Sequence, residues 1–150
     1  MPVPERPPIG VTLGRTAKTV SRAFDRTLSA AGGSLPTWLI LVSLKTAALG
    51  NQRELAEAAG IRAATLTHHL NTLETDGLIC RRRDPANRRV HQVDLTEAGE
   101  ALFVRLAGAA VAFDRQLRQG LGDDEVGRLE ELLHRLDRNV TDGPDPDHGS

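Results

Sequence analysis

Apolar residues recur along most of this chain at spacings of three and four, the mark of helices with one buried face. Leu13, Ala17, Val20, Phe24 and Leu28 predict a first helix from Ile9 to Ala31, closed by Gly32 and Gly33. Its other side carries Arg15, Lys18, Arg22 and Arg26. Pro36 suits the first turn of a second helix through Trp38, Leu41, Val42 and Leu44, broken at Gly50. Asn51 then caps a short third helix, with Glu54 completing a box-like cap, Leu55 and Ala58 inward and Gly60 at the end. A fourth helix starts near Arg62 or Ala63, buries Leu66, Leu70 and Leu73, and stops at Gly77.

The period then changes. Leu78–Arg83 and Val90–Leu95 read as short strands joined by Asp-Pro-Ala-Asn-Arg-Arg, a turn-rich hairpin tip. Thr96 caps a fifth helix to about Gln119, with Leu102, Leu106, Ala109 or Ala110, Phe113 and Leu117 on one face. Asp123, Asp124 and Glu125 suit the positive end of a sixth, whose stripe is Val126, Leu129, Leu132, Leu133 and Leu136. The expectation from these periods is a mainly α fold of six helices with a two-stranded β-hairpin. Residues 1–8, with four prolines, are expected to form a disordered arm, and 141–150 a disordered tail.

Composition narrows the class. At 39% hydrophobic and 26% charged the chain of 150 residues reads as a folded, water-soluble protein. No apolar run approaches the ~20 residues of a membrane span, and MPVPERPP lacks a signal peptide's apolar segment. One cysteine closes no intramolecular disulfide and makes no structural zinc site, so the expected location is the cytoplasm. A net charge of −1 argues against a nucleic-acid partner only until it is mapped. Residues 1–51 balance at +4, 52–95 at +1 and 96–150 at −6. Arg81, Arg82, Arg83, Arg88 and Arg89 fall within nine residues, opposed by Asp84 alone. Such a cluster is either a solvated loop or a phosphate-binding one.

The neighbourhood of the cluster decides between them. In a helix-turn-helix the first helix braces the second, whose outer face enters a major groove. With 66, 70 and 73 buried, Ala64, Thr65, Thr67, His68, Asn71 and Thr72 lie on the outer or flanking faces. These are short side chains of the kind that read base edges and phosphates. An arginine-studded hairpin beside them suits phosphates or a narrow minor groove.

From Asn51 to Gly99, QRELAEAAGI, ATLTHHLNTLETDGLI and RRRDPANRRVHQVDLTEAGE resemble the multiple-antibiotic-resistance regulator (MarR) family of bacterial winged-helix repressors. The likeness extends less specifically to Leu35–Pro36–Thr37–Trp38 and covers roughly residues 9–140. It implies a mainly α, six-helix winged helix-turn-helix with a two-stranded β-wing and a helical dimerisation region, residues 35–95 being the DNA-binding region and 9–34 with 96–140 the dimerisation region. It also implies a homodimer, built by the first and last two helices, on a pseudo-palindromic promoter site in double-stranded DNA. Thr65, Thr67 and His68 match recognition positions, His68 standing where the family often has arginine. Arg89 matches the wing-tip arginine of the minor groove, with Arg88 beside it. Asn87 replaces the acidic residue that commonly steadies that tip, and Arg62 lies where a Ser or Asp usually caps the recognition helix, adding a phosphate contact. The family's effectors, small phenolic or lipophilic anions, bind between dimerisation helices and reading domain, making Arg15, Phe24, Trp38 and Val42 the pocket candidates.

Other readings are weaker. His68 and His69 point about 100° apart on a helix, and adding His91 gives no zinc spacing, so neither metal nor cofactor is expected. Cys80, flanked by Arg81 and Arg82, opens a redox-responsive alternative, against its reading as a small buried residue. A winged-helix module used only for protein contacts is a further alternative. No Gly-x-Ser-x-Gly elbow, phosphate loop, His-Glu-x-x-His or Cys-His pairing marks an enzyme.

Overall fold

The structure, a computed structural model, describes residues 3–46, 52–83, 85–86 and 91–142. Six helices and one hairpin follow in the order α1 (Ile9–Ala30), α2 (Leu35–Thr46), α3 (Gln52–Ala59), α4 (Ala63–Thr75), β1 (Ile79–Arg83), β2 (His91–Leu95), α5 (Glu97–Leu117) and α6 (Asp123–Thr141). The expected winged helix-turn-helix is the fold observed. Two compact units divide inside α5, residues 1–113 and 114–150. No single helix is long and apolar enough to cross a membrane.

In the first unit, two buried clusters share α2. Ile40 joins Leu55, Ala56, Leu66, Leu70, Leu73 and Ile79 beneath the helix-turn-helix. Leu41 joins Leu28, Leu102 and Leu106 between α1 and α5. Consecutive residues of a helix point about 100° apart, so Ile40 and Leu41 serve different cores. That is why the single stripe read through Trp38, Leu41, Val42 and Leu44 omitted Ile40. Trp38, Val42 and Leu44 are half-buried. In α3 the inward residues are Leu55, Ala56 and Ala59, while Ala58, expected to be buried, is exposed. Leu55 and Ala59 stand one turn apart with Ala56 between them, and this face meets α2 and α4. The expected caps at Asn51 and Gly50 lie outside the described residues.

The helix ends are held by local bonds that sequence reading found only in part. Ser34 caps α2, its Oγ accepting from the Thr37 N–H at 3.2 Å, while Asp25 Oδ1 on α1 accepts from the Leu35 N–H at 3.0 Å. After α4, Gly77 takes φ 73°. Its N–H donates to the Glu74 carbonyl at 3.0 Å and the Leu78 N–H to the Leu73 carbonyl at 2.9 Å. This Schellman closure needs a left-handed residue and turns the chain into β1. In the second unit α6 reaches Thr141, one residue beyond the expected end, and Glu125 accepts from the Gly122 N–H at 3.0 Å.

The hairpin is antiparallel, with Ile79 opposite Leu95, Cys80 opposite Asp94 and Arg81 opposite Val93. Its base is locked to α5. The Thr96 hydroxyl donates to the Gly77 carbonyl at 2.6 Å and accepts from the Gly99 N–H at 3.1 Å, and the Thr96 N–H donates to the Leu78 carbonyl at 3.1 Å. Gly99 is buried, and a methyl group there would collide with the Leu78 carbonyl oxygen. Gly99→Ala is therefore expected to destabilise the protein by about 1–3 kcal/mol, the usual cost of overpacking. Urea denaturation followed by far-ultraviolet circular dichroism checks this, and an unchanged midpoint would contradict the close approach.

Candidate nucleic-acid interface

Helix α4 separates a structural face from a free one. Leu66, Leu70 and Leu73 are buried, at 5% exposure or less, whereas Ala64, Thr65, Thr67, His68, Asn71 and Thr72 are all exposed. The predicted reading face is thus solvent-facing. Its hydroxyls are partly committed, since Thr67 Oγ1 donates to the Ala63 carbonyl at 3.0 Å and Thr72 Oγ1 to the His68 carbonyl at 3.2 Å. What these threonines turn outward is a methyl group and oxygen lone pairs, suited to a thymine methyl or to an amino donor on cytosine or adenine. His68 is exposed and His69 half-buried, their rings 5.8 Å apart and tilted by 58°. Arg62 occupies the cap position before α4 with extended backbone and makes no side-chain cap bond.

An open groove of about 560 Å³ runs along the α3–α4 turn, lined by Gln52, Arg53, Glu57, Arg62 and Thr67 among others. Arg53 pairs with Glu57 at 3.7 Å. A smaller cleft of about 220 Å³ lies behind α4, where His69, Thr72 and Asp76 face Ser34 and Thr37 of the α1–α2 turn.

The three arginines of β1 belong to one cluster in the sequence, yet their surroundings differ. Arg81 is bonded to α4, with Nε 3.1 Å from Glu74 Oε2 and Nη2 2.5 Å from Asn71 Oδ1. Arg82 reaches across the hairpin to Asp94 Oδ2 at 2.6 Å. That hydrogen bond and its charge hold the Arg82 guanidinium above its ordinary pKa, so it stays a cation while sharing donors with Asp94. Arg83 is exposed and forms no ion pair among the described residues. Arg88, Arg89, Asn87 and Asp84 lie outside the described residues. Sequence reading missed Glu74 and Asp94 as partners, although a carboxylate one turn from Asn71 and another diagonally across the hairpin from Arg82 were available signals. Cys80 is half-buried opposite Asp94.

The effector candidates are distributed over the α1–α2–α5 core. Trp38 stacks on Phe103 with centroids 5.8 Å apart, and Phe24 on Phe113 at 4.9 Å. Both phenylalanine partners come from α5, Phe113 from its expected apolar face and Phe103 from outside that stripe. Lys45 Nζ stands 5.6 Å over the Phe103 ring and 3.0 Å from Glu100. Val42 is half-buried and Arg15 exposed, and neither lines the two cavities described above.

Known proteins share this geometry. Residues 34–91 match the MarR family. That span contains α2, the helix-turn-helix and β1, and ends at His91, the first residue of β2. Over it the chain is similar to MarR-family regulators. CouR, a transcriptional repressor whose structure was solved on a 23-mer DNA duplex, is 28% identical with a TM-score of 0.79, covering 87% of this chain and 93% of its own. CouR of Rhodococcus jostii RHA1 with p-coumaroyl-CoA is 26% identical with a TM-score of 0.72, covering 91% and 93%. BpsR of Bordetella bronchiseptica, whose DNA binding is regulated by 6-hydroxynicotinic acid, shares the fold at 23% identity and a TM-score of 0.80, covering 91% and 98%. This chain shares their helical frame and presents its own polar set on α4.

If the outer face of α4 carries no structural load, Thr67→Ala and His68→Ala should each shift stability by less than about 0.5 kcal/mol. Leu70→Ala should cost about 2–5 kcal/mol. Urea midpoints of the three variants measure the contrast.

Proposed function

We infer that this protein is a DNA-binding transcriptional regulator that represses by occupying promoter DNA as a homodimer and yields to a small aromatic anion. The observation that carries the reading is the division of α4, with Leu66, Leu70 and Leu73 sealed inward and Thr65, Thr67, His68, Asn71 and Thr72 exposed outward, Arg62 preceding the helix. Thr65, Thr67 and His68 would contact base edges, and Ala64 the thymine methyl or the groove wall. Arg62 and Arg83 would neutralise phosphates, joined by the wing residues Arg88 and Arg89. Asn71, Arg81 and Arg82 would work at the edge of this surface through their partners.

Two-fold symmetry is supported by apolar faces that stay exposed among the described residues. On α6 no residue is buried, and Leu129, Leu132 and Leu133 are 47%, 41% and 39% exposed. On α1, Ile9 and Leu13, one turn apart on one face, are likewise exposed. Exposed stripes of this kind mark association surfaces. A dimer would set two recognition helices about 34 Å apart, one turn of duplex. For the effector, the flat Trp38–Phe103 stack with Lys45 above offers an aromatic wall and a cation. Phe24, Val42 and Arg15 complete the proposed pocket. The CouR complex with an aromatic thioester supports that chemistry.

The test is selection of duplexes from a random-sequence library, followed by anisotropy titrations at several salt concentrations. A palindromic consensus and a steep salt dependence are expected, and failure to enrich any sequence would refute the reading. Arg62→Ala and Arg83→Ala should each reduce the slope of log K against log salt by about 0.9 for every phosphate they neutralise. Sedimentation equilibrium at micromolar concentration should show a dimer, and Leu132→Glu should give a folded monomer that binds the selected duplex poorly. Titration with hydroxycinnamic acids should change the fluorescence of Trp38, the single tryptophan, while lowering duplex affinity.

A further inference from the structure

Arg81 differs from its neighbours in what it touches. Its side chain is 20% exposed, against 69% for Arg82. Its backbone N–H donates to Glu74 Oε2 at 3.2 Å, Nε to the same oxygen at 3.1 Å, and Nη2 to Glu74 Oε1 at 3.3 Å and Asn71 Oδ1 at 2.5 Å. Asn71 and Glu74 are three residues apart and share one face of α4. A planar guanidinium holds both partners at once, which a point-charge ammonium cannot reproduce. The bonds tie the third residue of β1 to the last two turns of the recognition helix, across the turn at Gly77.

We propose that Arg81 is a positioning residue that fixes the wing's angle to the recognition helix, and that Asn71 thereby meets DNA chiefly through its NH₂. This rests on the DNA-binding reading above. Arg81 Nη2 donates to the Asn71 carbonyl oxygen, which fixes the direction of the amide and leaves its NH₂ as the donor to DNA. Bidentate reading of adenine would need the second lone pair of that oxygen at an angle the Arg81 bond already sets, which makes it the weaker option. The acceptors left are guanine N7 or O6, thymine O4 and phosphate oxygen. Glu74 makes the arrangement diagnostic. A carboxylate at a DNA-facing surface repels phosphate, so removing one should raise affinity if it does nothing else. As the anchor of the latch, its removal should lower affinity.

The test compares Arg81→Ala, Glu74→Ala, the double variant and Arg81→Lys with the wild type on the selected duplex. Thermal unfolding confirms that each is folded. The expected result is about a tenfold or greater loss for both single alanine variants and no further loss in the double. The salt slope should stay within error of wild type, because every phosphate keeps its cation. Arg81→Lys should restore little, since it keeps the charge but not the fork. A second readout is base preference: Asn71→Asp should lose affinity for every selected duplex, and Arg81→Ala should admit adenine at the position Asn71 faces. The proposal is overturned if Arg81→Ala lowers the slope by about 0.9 while Glu74→Ala tightens binding, which is the pattern of a residue bound to phosphate. It is equally overturned if Arg81→Ala binds like wild type. A wild-type protein that selects no duplex would instead refute the DNA-binding reading itself. Should Arg81→Ala fail to fold, Glu74→Ala decides alone by the sign of its effect.

Discussion

The arrangement of the reading unit depends on the place where α5 begins. Gly77 and Leu78 leave the recognition helix through a left-handed turn, and their carbonyls are taken by the hydroxyl and N–H of Thr96. Gly99 lets α5 approach so closely that its backbone lies against Leu78. Leu78 and Leu95 at this seam pack against both buried clusters. One short seam therefore fixes the end of α4, the base of the wing and the start of α5. A buried carbonyl without a donor costs more than a bond gains, so the seam tolerates little displacement. A ligand that moved α5 would move the recognition helix with it, which gives a physical route from the Trp38–Phe103 region to DNA.

The wing shows how far charge count and charge availability diverge. Arg81, Arg82 and Arg83 are adjacent in sequence and alternate across the strand, so neighbours face different surroundings. Arg81 meets α4, Arg82 meets Asp94 on β2, and Arg83 remains exposed. Surface ion pairs of this kind contribute little to stability. Their consequence is geometric, since each holds a guanidinium in one direction. A surface that must match a duplex gains more from such fixed directions than from additional loose cations.

Much of this was legible beforehand because it depends on near neighbours. The stripe 66, 70 and 73 determined which side of α4 is free, and Gly77 and Thr96 marked real helix ends. Ala58 was misplaced because alanine is small enough for either face, leaving the turn between Leu55 and Ala59 to decide. Ile40 escaped because α2 serves two cores, and a helix buried on several sides has no single stripe to read. Asp25, ten residues from the N–H it caps, gave no local sign of that role.

By itself, then, the chain specified its helices, the polar outer face of α4 and a hairpin of β period, because 3.6- and 2-residue periodicities are properties of the backbone. It also carried the family's motif from the helix-turn-helix to the first turn of α5. Only tertiary structure decided which polar groups remain free to act. Pairing of Arg81 with Glu74 and of Arg82 with Asp94 follows from how a helix meets a strand and how two strands register. Those relations join residues distant along the chain, and ion-pair geometry changes over a few ångströms that no residue spacing encodes.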